Sequence, residues 1–192
     1  MYQRRKEKNI IGIIFLLLCL TVIFGEKDIG KKKNLETLNI SDNEFTAPKR
    51  EIVQSVEGEK ICYLTFDDGP SKNTIKILDI LKQYEAKATF FVIGNCICEE
   101  NRDILERIIK EGHAVGLHAN NHVYKKFYAD DTSFLKDHEC LYQTLKEDYG
   151  IETALFRFPG GSACKYINGK GAEYIDKMRE RGFACFDWNV HW

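Results

Sequence analysis

From residue 61 to residue 188, short apolar runs alternate with longer stretches whose apolar residues recur at helical spacing, and that alternation limits the fold more than any other feature of the chain. Ile61 to Phe66, Ala88 to Ile93, His113 to His118, Ala154 to Phe158 and Phe183 to Trp188 read as strands. Between them, Ser71 is placed to cap a helix carrying Ile75, Leu78 and Leu81 on one stripe. A second helix carries Ile104, Leu105, Ile108 and Ile109 and stops at Gly112. A third runs from Ser133 to about Asp148 with Phe134, Leu141 and Leu145, and a fourth runs around Tyr174, Ile175 and Met178 to near Gly182. Strands alternating with helices predict a parallel sheet, either open or closed into a (β/α) barrel.

Three polar segments stand where apolar runs end. Thr65-Phe66-Asp67-Asp68-Gly69-Pro70 closes the first, His118-Ala119-Asn120-Asn121-His122 the third, and Phe156-Arg157-Phe158-Pro159-Gly160-Gly161 the fourth. In parallel α/β folds the carboxyl ends of strands are where functional groups collect. Taken singly the signals are ordinary: Asp-Asp-Gly-Pro is a turn sequence, and two histidines four apart are a pair of solvated side chains. Together they describe a hydrolytic metal centre, which needs three oxygen or nitrogen ligands and one open position. Asp68, His118 and His122 supply the three, with the histidines expected on one face of a helical turn, and Asp67 is left as a candidate general base.

With these segments the chain resembles the polysaccharide deacetylase family, also called the NodB homology domain or carbohydrate esterase family 4. Thr65 to Gly69 match its T-F-D-D-G motif at every letter, His118 and His122 its H-S/T-x-x-H motif, and Arg157 and Pro159 its R-x-P motif. Ala119 replaces the hydroxyl residue of the second motif, which removes a hydrogen bond behind the ligands. The resemblance implies a distorted (β/α) barrel of the NodB type with its C-terminal strands missing. It also implies Asp67 as catalytic base, Arg157 orienting it, and Asp68, His118 and His122 holding one divalent ion, with zinc expected. The N–H after Pro159, here that of Gly160, would hold the oxyanion, at a position where many members carry Tyr. The implied reaction is metal-dependent de-N-acetylation of an acetylated cell-wall or related polysaccharide.

The family's final L-x-H motif, which carries the acid histidine, does not occur, and His191 stands where an acidic residue is expected after Asn189 and Val190. Asp187 is the substitute partner that the sequence offers to Arg157. The alternative function is therefore a truncated, inactive homologue that keeps only metal or glycan binding. The chain as it stands is expected to be nearly inactive and marginally stable. A two-metal phosphoesterase needs more histidine and carboxylate ligands than are well placed here.

Arg4, Arg5, Lys6 and Lys8 precede an uncharged stretch from Asn9 to Gly25 dominated by Ile and Leu. Its length, roughly 25 Å as a helix, is at the short end for crossing a bilayer. No small residues mark a cleavage site near Val22-Ile23-Phe24, so residues 1–25 read as a signal-anchor rather than a signal peptide. Residues 26–57 are polar and read as a linker, leaving 58–192 as the deacetylase-like domain on the extracytoplasmic face of the membrane, or secreted. A hydrophobic fraction of 44% with 12% aromatics suits one packed domain. The formal net charge of -1 excludes nucleic acid as an expected partner. Six of the seven cysteines lie beyond the anchor with no C-x-x-C pair; some are available to pair, and Cys62 and Cys185 read as core residues.

Overall fold

The computed structural model describes residues 45–49 and 61–190. The anchor expected over residues 1–25, most of the linker and His191 lie outside the described residues. Among the described residues no helix is long and apolar enough to cross a membrane.

The chain forms β1 (Leu64–Gly69), α1 (Lys72–Gln83), β2 (Ala88–Ile93), α2 (Arg102–Lys110), β3 (Ala114–Ala119), the short α3 (Tyr124–Phe127), α4 (Asp131–Tyr149), β4 (Leu155–Phe156), α5 (Gly171–Glu180) and β5 (Ala184–Cys185). The five strands make one sheet in the order β1-β2-β3-β4-β5, every neighbouring pair parallel.

Strand alternation divides the sheet into two faces. Phe66, Phe90, Val92, Val115, Leu117 and Phe156 join the apolar cluster with Leu78 and Leu81 of α1, Leu105 and Ile108 of α2 and Leu141 and Leu145 of α4. Thr65, Asp67, Phe91, Gly116, His118 and Arg157 point to the other face. Gly116 is required there, because a Cβ on it would stand 2.5 Å from the Phe91 ring. One face thus holds the fold together and the other is free for polar chemistry.

Element by element, β2 and the helices form where the pattern places them. α1 starts after Ser71, whose N–H donates to Thr74 Oγ1 at 3.0 Å, but Thr74 takes the buried position and Ile75 is 39% exposed. α4 begins two residues earlier than Ser133, because the Asp130 carboxylate accepts the Ser133 N–H at 2.7 Å and is the cap. It ends at Gly150, whose φ of 65° suits glycine. β1 starts at Leu64, not Ile61, because its partner strand begins at Ala88 opposite Leu64; Ile61, Cys62 and Tyr63 have no strand beside them and are exposed. β4 and β5 are two-residue strands, shorter than the runs 154–158 and 183–188. Pro159 has no N–H to donate, and Gly160 and Gly161 turn the chain away with φ of 77° and 81°.

Cys62 is exposed and not the core residue expected, whereas Cys185 is half-buried and packs against the core cluster; burial pushes its thiol up to about 12. All six described cysteines are free.

Within the segment read as linker, Phe45 is 5% exposed, with its ring centroid 4.9 Å from that of Phe183 and 5.6 Å from that of Tyr142. The Ala47 N–H donates to the Arg181 carbonyl at 2.7 Å, and the Tyr142 hydroxyl donates to the Thr46 carbonyl at 3.1 Å. The packed body therefore includes residues before position 58. A polar stretch containing one phenylalanine reads as linker by composition, and the aromatic slot that receives it is formed by residues about a hundred positions away.

Candidate active site

The carboxyl ends of β1, β3 and β4 bring the three polar segments together. At both strands that carry candidate ligands the sheet register slips by one residue. Asp67 pairs with Phe91 and Gly69 with Val92, leaving Asp68 as the extra residue of a bulge. Leu117 pairs with Val92 and Ala119 with Ile93, leaving His118 as the extra residue of another. A bulge re-aims a side chain that strict alternation would commit to one face. Asp68 completes its turn with φ of 65°, a region that Asp tolerates better than most residues. Two consecutive carboxylates can thereby serve one site.

His122 is not on a helical turn with His118. His118 belongs to β3, and His122 sits in the loop beyond it with φ of 54°. Strand end and turn, not helix periodicity, make them converge. The two rings lie 5.2 Å apart between centroids, and the Tyr124 ring stands edge-on to His122 at 5.4 Å.

Nε2 of His118 and Nε2 of His122 each lie 3.3 Å from Asp68 Oδ1. The three ligand atoms fall within 4.8 Å of one another. Two ligands bound at about 2.0–2.1 Å in tetrahedral geometry stand about 3.3–3.4 Å apart, so the donor set has the chemistry and the size for a zinc-like ion. His118 Nδ1 is 2.9 Å from the Arg157 carbonyl oxygen, which fixes the proton on Nδ1 and leaves the Nε2 lone pair for the ion. Hydrogen bonding to His118 holds the Asp68 carboxyl below the usual range against the opposing effect of burial, with the charges of both histidines adding to it. Burial lowers the pKa of His122, which favours the neutral, ligating form.

Asp67 lies beside the triad and is held by Arg157. The guanidinium is 3% exposed and donates from Nη1 to Asp67 Oδ1 at 2.9 Å and to Thr65 Oγ1 at 2.8 Å, and from Nε to the Phe186 carbonyl at 2.7 Å. It lies over the Phe91 ring at 4.3 Å. Asp187 is not its partner. That carboxylate accepts the Ser162 N–H at 3.2 Å and the Ser162 hydroxyl, fastening the loop after Gly161. Among the described residues nothing bonds Asp67 Oδ2, which leaves one carboxylate oxygen for a reacting proton.

Pro159 is buried, and its carbonyl accepts the Tyr128 hydroxyl at 2.8 Å. Gly160 is exposed with φ of 77°, and no group among the described residues accepts its N–H. A Cβ at Gly160 would meet the Tyr124 ring at 3.2 Å. One polar residue escaped the sequence reading: Asp137 of α4, 6% exposed, whose carboxylate receives both backbone N–H groups of Asn120 and Asn121 and the Asn121 side-chain amide.

Residues 54–179 match the family model of the polysaccharide deacetylases. The chain belongs to the polysaccharide deacetylase family. It is 38% identical to a peptidoglycan-N-acetylglucosamine deacetylase of Bacillus cereus over 99% of its own length and 71% of that protein's. Among solved structures, it is similar to the catalytic domain of peptidoglycan N-acetylglucosamine deacetylase from Eubacterium rectale, with a TM-score of 0.65, 35% identity and coverage of 73% of this chain and 64% of that one. A CE4 esterase of Streptococcus mutans matches with a TM-score of 0.62 and 35% identity over 69% of this chain and 58% of that one. The chain therefore spans less than two thirds of the length of these solved polysaccharide deacetylases and esterases.

Proposed function

We propose that the chain is a metal-dependent hydrolase that removes acetyl groups from the N-acetylated sugars of a cell-wall polysaccharide. The observation that carries the proposal is the placement of Asp67, clamped by Arg157 with one oxygen free, beside a triad of the right size for one divalent ion. Relatives named as peptidoglycan deacetylases support the choice of glycan.

Asp68, His118 and His122 would hold the ion, which when bound supplies a Lewis acid and a water of lowered pKa. Asp67 Oδ2 takes the proton as water attacks the acetamide carbon, a role worth roughly 10² to 10⁴ in rate. Arg157 keeps Asp67 oriented. The Gly160 N–H donates to the oxyanion that develops on the former carbonyl oxygen. The carbon–nitrogen bond then breaks, acetate leaves, and the amine takes the proton that Asp67 holds. His118 and His122 would be ligands, and His113 and His138 are buried among core residues.

The sequential order of parallel strands suits a barrel wall, in which right-handed crossovers carry every helix to one side. It supports an arc of the distorted barrel implied by the sequence. A polymeric wall substrate requires the domain outside the cell, the role we assign to the basic and apolar N-terminal segment.

The test is acetate release from N-acetylglucosamine oligomers and from peptidoglycan, before and after chelation, together with zinc content. Wild type should hold about one ion and lose turnover when it is stripped, and His118→Ala should hold none. Equal zinc in both chains, or turnover indifferent to chelation, overturns the proposal.

A further inference from the structure

Between the two histidines of the triad lie Ala119, Asn120 and Asn121, and the turn that they form is gripped from two sides. From the end of β2, the Asn95 N–H donates to the Asn120 carbonyl at 2.8 Å, and the Asn120 side chain occupies space that any Cβ at Gly94 would take. From α4, the buried Asp137 carboxylate accepts the N–H of Asn120, the N–H of Asn121 at 3.2 Å and the Asn121 amide. Asn121 in turn accepts the Val123 N–H through Oδ1 at 2.8 Å, closing the bend around His122.

The Asp137 bonds have two unusual properties. A carboxylate is costly to bury, and this one lies on the apolar stripe of α4, three residues after Phe134 and four before Leu141, both fully buried. Every hydrogen bond shown for it goes to the two asparagines, and none ties α4 to a strand ladder or to another helix. A group so placed does little for the rest of the fold and much for the one segment that must hold His122 in a left-handed conformation.

We propose that Asp137 is a positioning residue of the metal site: by collecting the donors of Asn120 and Asn121 it sets the spacing between His118 and His122 that lets both imidazoles reach one ion with Asp68. Given the metal site proposed above, an Asn at 137 keeps the size but turns a donor toward donors. The turn then relaxes, and the two Nε2 atoms no longer share one partner at 3.3 Å. Removal of a hydrogen bond that orients metal ligands weakens binding by about 10- to 100-fold.

The probe is Co²⁺ added to the metal-free full-length chain, read by its visible absorption, whose intensity and position report coordination geometry. Wild type should give a saturable spectrum at one equivalent. Asp137→Asn should bind about 10- to 100-fold more weakly and with an altered spectrum at a temperature where far-UV circular dichroism matches wild type. Asn121→Ala, at a half-exposed site, removes one donor and should weaken binding about two- to tenfold. Should Asp137→Asn fail to fold, Asn121→Ala decides: weakened binding supports the assignment and wild-type binding overturns it. Folded variants with wild-type affinity and spectrum overturn the role of Asp137 alone. A wild-type chain that takes up no Co²⁺ overturns the metal site itself.

Discussion

Replacing Phe45 by Ala should destabilise the whole domain although the residue lies in a polar, linker-like stretch. The ring is 5% exposed and packs on Phe183 and Tyr142, so the substitution removes a nearly complete aromatic side chain from a closed slot. Phe→Ala at such sites costs about 3–5 kcal/mol, transfer and residual cavity together. The neighbours cannot easily close the gap: Phe183 and Tyr142 meet each other nearly perpendicularly, at 87°, and Tyr142 is tied by its hydroxyl to the Thr46 carbonyl. For a domain of this size each kcal/mol shifts Tm by about 2–4 °C, so the loss should be about 6–20 °C. Thermal unfolding by circular dichroism of wild type, Phe45→Ala and Phe45→Leu is the assay, with Leu intermediate. A chain beginning at Arg50 should behave like Phe45→Ala or worse, since it also loses the Ala47 to Arg181 hydrogen bond. Melting of Phe45→Ala within about 1 °C of wild type would refute the claim that this segment is part of the core.

Asp67→Asn should retain the ion and lose at least about a hundredfold in deacetylation, whereas Asp68→Asn should lose the ion; atomic emission and acetate release on both variants show whether the two carboxylates have been assigned correctly. Gly116→Ala should destabilise by about 1–3 kcal/mol in urea unfolding and lower turnover, because its Cβ forces the Phe91 ring under Arg157 to move; wild-type stability would mean the sheet has room there. His138 is fully buried, and burial takes its pKa from 6.5 to about 4. The folded value is the depressed one, so its contribution is complete above about pH 6.5 and is lost as pH falls toward 4, about 3 kcal/mol in all. His138→Leu should flatten that part of the stability curve, and an unchanged slope between pH 7 and 4.5 would assign the acid sensitivity to other groups.

The helices, β2 and the three residues whose ligand-type atoms converge could be read from the chain because each depends on local spacing or a contiguous motif. The bulges at Asp68 and His118 could not, since a register slip is a property of two strands and leaves no mark on one. The same ignorance made a helical turn the natural explanation for His118 and His122. Arg157 reaches Asp67, ninety positions away, at 2.9 Å, as the resemblance implies, whereas Asp187, the substitute partner that the sequence offered, is taken by Ser162 instead. Asp137 did leave a signal, an acidic residue on the apolar stripe between Phe134 and Leu141, which is where a carboxylate needs buried donors. Phe45 left only the oddity of an aromatic ring in polar surroundings.

Arg157 also measures the sheet. Its N–H donates to the Leu117 carbonyl, so it stands beside β3 in the place of β4, three strands from β1. Across a flat sheet those strands would be about 14 Å apart, farther than an arginine side chain extends. Yet its guanidinium reaches Thr65 and Asp67. The strand ends must therefore lie on an arc, with Arg157 as the chord drawn across it. The orientation of the Asp67 carboxylate and the curvature of the wall are in that sense a single degree of freedom. A substitution that opens or tightens the coil of the strands, however far from the site, would be felt at Asp67 through one side chain.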